Sequence, residues 1–172
     1  VVASFGVLAL PSAGAGAPVK APLVCNRGDE GQTFAAVITM PGTVEKGSLV
    51  TVRIDGVSSG TVSHTGLNYI KDMATDWLVP AGATFVPGSA QLVPGTGTPN
   101  VLPKARVWGD TTMVHLLLPA KVANGSSFTP PSIQFQLKIT AAVGATLSLP
   151  LWQYRVTANA LLVGDLETKC DP

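Results

Sequence analysis

Asp76-Trp77-Leu78-Val79-Pro80-Ala81-Gly82-Ala83-Thr84-Phe85-Val86-Pro87-Gly88-Ser89 reads as two strand pieces hinged at Pro80-Ala81-Gly82, with a second hinge at Pro87-Gly88. Proline lacks an N–H and fixes φ, and glycine tolerates positive φ, so each pair stops a strand and turns the chain. Trp77, Val79 and Phe85 on either side are spaced to cap a buried core. Nearly every other segment repeats this grammar of short β run, turn, short β run.

Downstream, the cleanest strand is Ile133 to Thr140. Ile133, Phe135, Leu137 and Ile139 point one way, and Gln134, Gln136, Lys138 and Thr140 the other, so one face meets a core and one meets water. Leu102 to Trp108 and Thr111 to Leu118 form an expected hairpin about Gly109-Asp110. Asn124-Gly125 marks another bend. Leu147 to Leu151 follows a turn at Gly144, and Trp152 to Val163 supplies the last strands. Upstream, Gln32 to Met40 alternates with Phe34, Ala36, Ile38 and Met40 on one face. Pro41-Gly42 then turns the chain, and Glu45-Lys46-Gly47 is a solvent-exposed bend. Ser48 to Ile54 is β-branched, and Asp55-Gly56 predicts a hairpin with Val57 to Val62 as its partner. Thr61 to Trp77 supports two readings. Leu67, Ile70, Met73, Ala74 and Trp77 suit a short helix, whereas alternation from Leu67 to Trp77 suits a strand, which the β character of the rest favours. About eight or nine short strands at this spacing imply an all-β antiparallel β-sandwich or an open barrel.

Composition agrees with this reading. Of 172 residues only 12% are charged, about half the usual share, and the net charge is +1. A strongly basic nucleic-acid surface is excluded, and no nucleic-acid partner is expected. Eighteen glycines and fourteen prolines, dispersed along the chain, suit many turns rather than helices.

Val1 to Leu10 is apolar and is followed by Ala-x-Ala spacings at Ala13/Ala15 and Ala15/Ala17. Residues 1–17 therefore read as a signal-peptide remnant cleaved near 15–17, with Ala15 favoured because Pro18 stiffens the later bond. About ten apolar residues are too few to span a bilayer, so no membrane span is expected in the mature chain. A Pro-containing lead at 18–31 carries Cys25, and 32–172 forms the single domain. In an exported chain, the pair Cys25 and Cys170 predicts a disulfide tying the two ends together. A lipid-anchored Cys25 would want a small residue in place of Val24, and a zinc pair lacks neighbouring ligands.

The run from Val79 to Ser89 resembles the Leu-Pro-x-Gly-x-x-Phe-Val-x-Gly-Ser signature of immunoglobulin-like modules on bacterial envelope proteins. Leu118-Pro119, Asn124-Gly125-Ser126-Ser127 and the strand from Ile133 follow in the order of those modules. The whole chain, with Cys25 near the start and Thr168-Lys169-Cys170-Asp171-Pro172 at the end, resembles small secreted actinobacterial proteins. The resemblance implies an immunoglobulin-like β-sandwich acting outside the cell or in the envelope. Its partner would be an extracellular protein, a glycan or an envelope component.

Chemical motifs are sparse. Gly56-Val57-Ser58-Ser59-Gly60 matches a nucleophile elbow, which needs its serine between a strand and a helix, yet Thr61 to Gly66 is a poor helix start. His64 and His115 could pair with Asp72, Asp76 or Asp110 as a base–carboxylate couple or a thin metal site. A lone strand histidine is more often structural, and His115 should face away from Val114 and Leu116. Gly95-Thr96-Gly97-Thr98 lacks the lysine of a phosphate loop. Asp29, Glu30, Asp72, Asp76, Asp165 and Glu167 are too scattered for a calcium loop. Asn124-Gly125-Ser126 is a glycosylation sequon by pattern and a turn by physics. Trp77, Trp108 and Trp152 could line a carbohydrate or lipid platform, though separate strands place them more readily in a core. The expectation is a secreted, non-enzymatic protein with no catalytic residue, cofactor or metal. The alternatives are a module for an apolar ligand or glycan and, less favoured, a serine hydrolase using Ser58 with His64 or His115.

Overall fold

The computed structural model describes residues 19–26, 32–41, 44–142, 145 and 147–172. The expected leader at 1–17, Asp29, Glu30 and the glycines of two expected turns, Gly42 and Gly144, lie outside the described residues. The chain folds into two antiparallel sheets packed face to face, the expected β-sandwich. Twelve strands are formed among the described residues rather than eight or nine. The excess comes partly from strands of two and three residues, whose length leaves no periodicity to read, and partly from Val19–Cys25 and Gly164–Asp171, where a lead and no strand were expected.

The first sheet contains β2 (Gln32–Thr39), β3 (Leu49–Gly56), β10 (Ile133–Ile139), β5 (Ala83–Phe85) and β6 (Gln91–Leu92). The second contains β12 (Gly164–Asp171), β11 (Leu151–Ala160), β4 (Leu67–Leu78), β8 (Met113–Leu118), β7 (Arg106–Gly109) and β9 (Val122–Ala123). β1 (Val19–Cys25) belongs to both. Its residues 19–23 pair with β2, and Val24 and Cys25 then pair with Asp171 and Cys170 of β12. Strands that switch sheets make the corners of such packings. At this corner Cys25 and Cys170 form a disulfide, with Cα atoms 4.0 Å apart.

The Pro80-Ala81-Gly82 hinge has the same consequence on a smaller scale. β4 ends at Leu78 in the second sheet, and β5 begins at Ala83 in the first. Gly82 takes φ +86°, and a Cβ there would sit 2.6 Å from the Ala141 methyl carbon, so both conformation and space require glycine. Trp77 and Phe85 on either side are buried. The segment with two readings, Thr61 to Trp77, is a strand from Leu67 onward. Ile133, Phe135, Leu137 and Ile139 are buried along β10, matching their alternation. Met73, Trp77, Val114, Leu116 and Leu151 meet them from the second sheet. Each such side chain, fully removed from water, contributes about 1.5–3 kcal/mol.

The Asp55-Gly56 hairpin does not form. β3 runs through Gly56, and its neighbours are β2 and β10, while Val57 to Gly60 is loop. Gly56 is needed for a different reason: a Cβ there would lie 2.4 Å from the Pro130 carbonyl oxygen. The glycine permits close approach of a distant loop instead of a local turn.

Candidate functional site

On the outer face of the second sheet, cross-strand register brings Trp108, His115, Asp76 and Gln153 into one row across β7, β8, β4 and β11. Along β8, Val114 and Leu116 are buried, so His115 between them must point outward, as expected. Asp76 stands between inward-facing Thr75 and Trp77, the latter's indole N–H donating to Thr75 Oγ1 at 3.3 Å. Asp76 is only 6% exposed, unusual for a carboxylate on a sheet's outer face.

Partners satisfy that carboxylate on both oxygens. His115 Nδ1 lies 2.8 Å from Oδ1, and Arg155 Nη2 donates to Oδ2 at 3.0 Å. Charge-assisted bonds of this kind offset the desolvation of a buried carboxylate. The Trp108 ring stacks on the imidazole at 5.0 Å, inclined by 22°. His115 Nε2 is 3.7 Å from Asp110 Oδ2. Asp110 also closes the β7–β8 turn, its Oδ1 accepting from Thr112 N, Thr112 Oγ1 and Met113 N at 2.7–2.9 Å. Those donors, the Thr112 backbone N–H foremost, hold its carboxyl well below the usual carboxylate range.

Arg155 reaches Asp76 because β11 carries an irregularity. Register runs from Leu151↔Trp77 to Gln153↔Asp76, leaving Trp152 as an extra residue. Trp152 and Gln153 lie between inward-facing Leu151 and Tyr154, so both project from the outer face. Arg155 Nε is buried and has no hydrogen-bond partner among the described residues, which leaves the guanidinium anchored through Nη2.

The expectation that all three tryptophans fill the core is corrected. Trp77 is buried, but Trp108 and Trp152 are 47% and 44% exposed on this one outer face. Of the histidine pairings, His115 meets both Asp76 and Asp110. His64 meets none of the three carboxylates; its Nδ1 lies 2.8 Å from the Thr65 carbonyl oxygen. Asn124 clasps the His64 backbone, accepting from its N–H and donating to its C=O at 3.2 and 3.3 Å. Ser58 is exposed in a loop, where its Oγ accepts from Gly60 N. Neither imidazole hydrogen-bonds Ser58 among the described residues. Thr96 and Thr98 stitch their loop to the chain before β10, accepting from Ser132 N and Thr129 N.

Between the sheets lies an apolar cavity of about 40 Å³, lined by Phe34, Trp77, Phe128, Tyr154 and neighbours. That volume suits about one water rather than an organic ligand. Burial there pushes the Tyr154 hydroxyl up to about 12. A shallow polar depression of about 220 Å³ on the outer face of the first sheet is lined by Thr51, Ser89, Gln91, Gln134 and Gln136. Among the described residues no cluster of three or more His, Cys, Asp or Glu side chains is placed to hold a metal ion. No helix among them is long and apolar enough to cross a membrane.

No protein-family model matches the chain, and no curated protein matches it. The sequence allows a surface platform for Trp108 and Trp152 and favours the core, and it gives no signal for Arg155. Arg155 is 79 residues from Asp76 and finds it only through the β11 irregularity.

Proposed function

We propose that this chain is a secreted, non-enzymatic protein of the cell envelope or extracellular space that binds a partner through the outer face of its second sheet. One observation carries the reading: Trp108 and Trp152 are both half-exposed beside a rigid, internally neutralised row of Asp76, His115 and Arg155. Fixed aromatic faces beside anchored polar groups are what recognition surfaces concentrate. The imidazole is committed to Asp76 and stacked under Trp108, and among the described residues it hydrogen-bonds no serine, an arrangement that suits a fixed binding surface. The Cys25–Cys170 disulfide fits an oxidising compartment. The likeness of Val79 to Ser89 to envelope immunoglobulin-like modules supports the same setting.

For the partner's chemistry, a glycan is the favoured alternative to a protein. Two exposed indoles on one flat face suit sugar rings, and the inter-sheet cavity is too small for an apolar ligand. The test is a binding screen of the protein against envelope polysaccharides and extracellular extracts, with Trp108→Ala and Trp152→Ala beside the parent. Loss of capture by about tenfold in either variant is expected. Equal capture by all three proteins would remove this face from consideration.

A further inference from the structure

The hairpin joining β11 to β12 ends in Leu161-Leu162-Val163, and these side chains are 57%, 106% and 66% exposed. They are contiguous, wholly apolar and carried at the apex of a long antiparallel pair that closes at Ala160↔Gly164. Leu162 holds φ +71°, a conformation that glycine or asparagine would take with less strain. A leucine kept there, in water and in the left-handed region, has no role in this protein's own core.

We propose that this apex inserts into the interfacial layer of a lipid bilayer. The patch is convex and has no rim, so it matches a deformable apolar phase better than it matches a preformed pocket. The residues below it form a fitting collar. Tyr69 pairs with Asn159 in register, three residues down from Leu162, and at the rise of a strand this is about 10 Å. Peripheral apolar elements bury to about 5–10 Å, so the Tyr69 ring falls at headgroup level. Lys121 Nζ stands 4.4 Å from the centre of that ring, an arrangement in which an apolar body and a cationic tip share the boundary.

Charge near the apex sums to zero, Asp72 and Asp165 standing against Lys71 and Lys121. Asp165 is bound by Lys71 Nζ and accepts from Asn159 Nδ2 at 2.7 Å, and Lys71 also lies 3.9 Å from Asp72. The apex is further braced by Leu161 N donating to Gly66 O at 2.7 Å. Attraction therefore comes from apolar burial rather than from a basic patch, and zwitterionic lipid is sufficient.

The experiment uses the full oxidised chain and phosphatidylcholine vesicles, alone or with about 30% phosphatidylglycerol. Flotation compares the parent with Leu161→Ser/Leu162→Ser/Val163→Ser, each checked for an unchanged thermal midpoint. Because the apolar residues at the start of the chain could bind lipid independently, an environment-sensitive dye is also attached at Leu162→Cys and, as a control, at Lys138→Cys. Expected are a blue shift and quenching by lipid-borne spin labels at position 162 and not at 138. The triple variant should lose vesicle-dependent binding by about tenfold, with less than about twofold change between low and high salt for the parent. The proposal falls on any of four results: no lipid-dependent signal at 162, an equal signal at 138, equal flotation of the triple variant, or binding that needs anionic lipid and vanishes with salt. A concentration-dependent dye shift without vesicles would assign the apex to self-association and overturn it as well.

Discussion

Asp76 and His115 face each other across the β4–β8 pair, Oδ1 to Nδ1 at 2.8 Å, and the same carboxylate holds Arg155 through its other oxygen. Truncating Asp76 would leave the guanidinium partly buried without its counter-ion. Asp76→Ala should cost about 2 kcal/mol in urea unfolding, below the fully buried range because the Arg155 side chain is 37% exposed. Asp76→Leu combined with Arg155→Met should recover most of that loss. If the loss is unchanged when Arg155 is already removed, the pair does not act as a unit.

Gly56 and Gly60 offer a contrast between two reasons for glycine. Gly56→Ala would drive a methyl against backbone, the Pro130 carbonyl oxygen, and should destabilise by about 2 kcal/mol or more. Gly60 has φ +67° with open space around it, so Gly60→Ala should cost about 1 kcal/mol. Chemical denaturation of the two variants ranks them directly, and the reverse order would contradict the close approach.

Removing the disulfide by Cys25→Ser/Cys170→Ser releases a connection spanning 145 residues of sequence. The expected loss is about 2–4 kcal/mol, under the chain-entropy ceiling of about 5. Parallel denaturation of the parent with and without reductant should give the same difference.

Tyr154 sets an alkaline limit. Its hydroxyl ionises near 10 in the unfolded chain and near 12 in the folded one, so between those values the unfolded state binds fewer protons. Stability is unaffected by this group below pH 10 and falls above it, by about 1.4 kcal/mol per pH unit, until pH 12. Tyr154→Phe should flatten that part of the stability profile, and an unchanged slope would mean that the ring is not desolvated in solution.

Much of the fold was legible because period two is a local signal. Ile133 to Ile139 and the outward turn of His115 follow from their own neighbours in sequence. Gly56 was misread because Asp-Gly is a local turn cue, whereas its environment is set by Pro130, a residue far along the chain. The tryptophans were misread for a related cause: an indole's burial depends on which face its strand presents, and Trp152 sits where an extra residue resets that alternation. The sequence allows Asp76–His115 and Asp110–His115 pairings, but the choice between histidines needs the β4–β8 register. Arg155 carries no periodic or motif signal that would link it to Asp76.

Cys25 and Cys170 lie side by side on neighbouring antiparallel strands, with the rest of the described domain looped between them. Tension applied through the chain before Cys25 and after Cys170 passes across one covalent bond and bypasses that loop. While oxidised, the strands between Cys25 and Cys170 are thus shielded from tension, and only the β1–β2 pairs from Val19 to Leu23, which precede Cys25, stand in the path of the pull. Once reduced, the same pull would peel β1 from β12 pair by pair, and the molecule would lengthen.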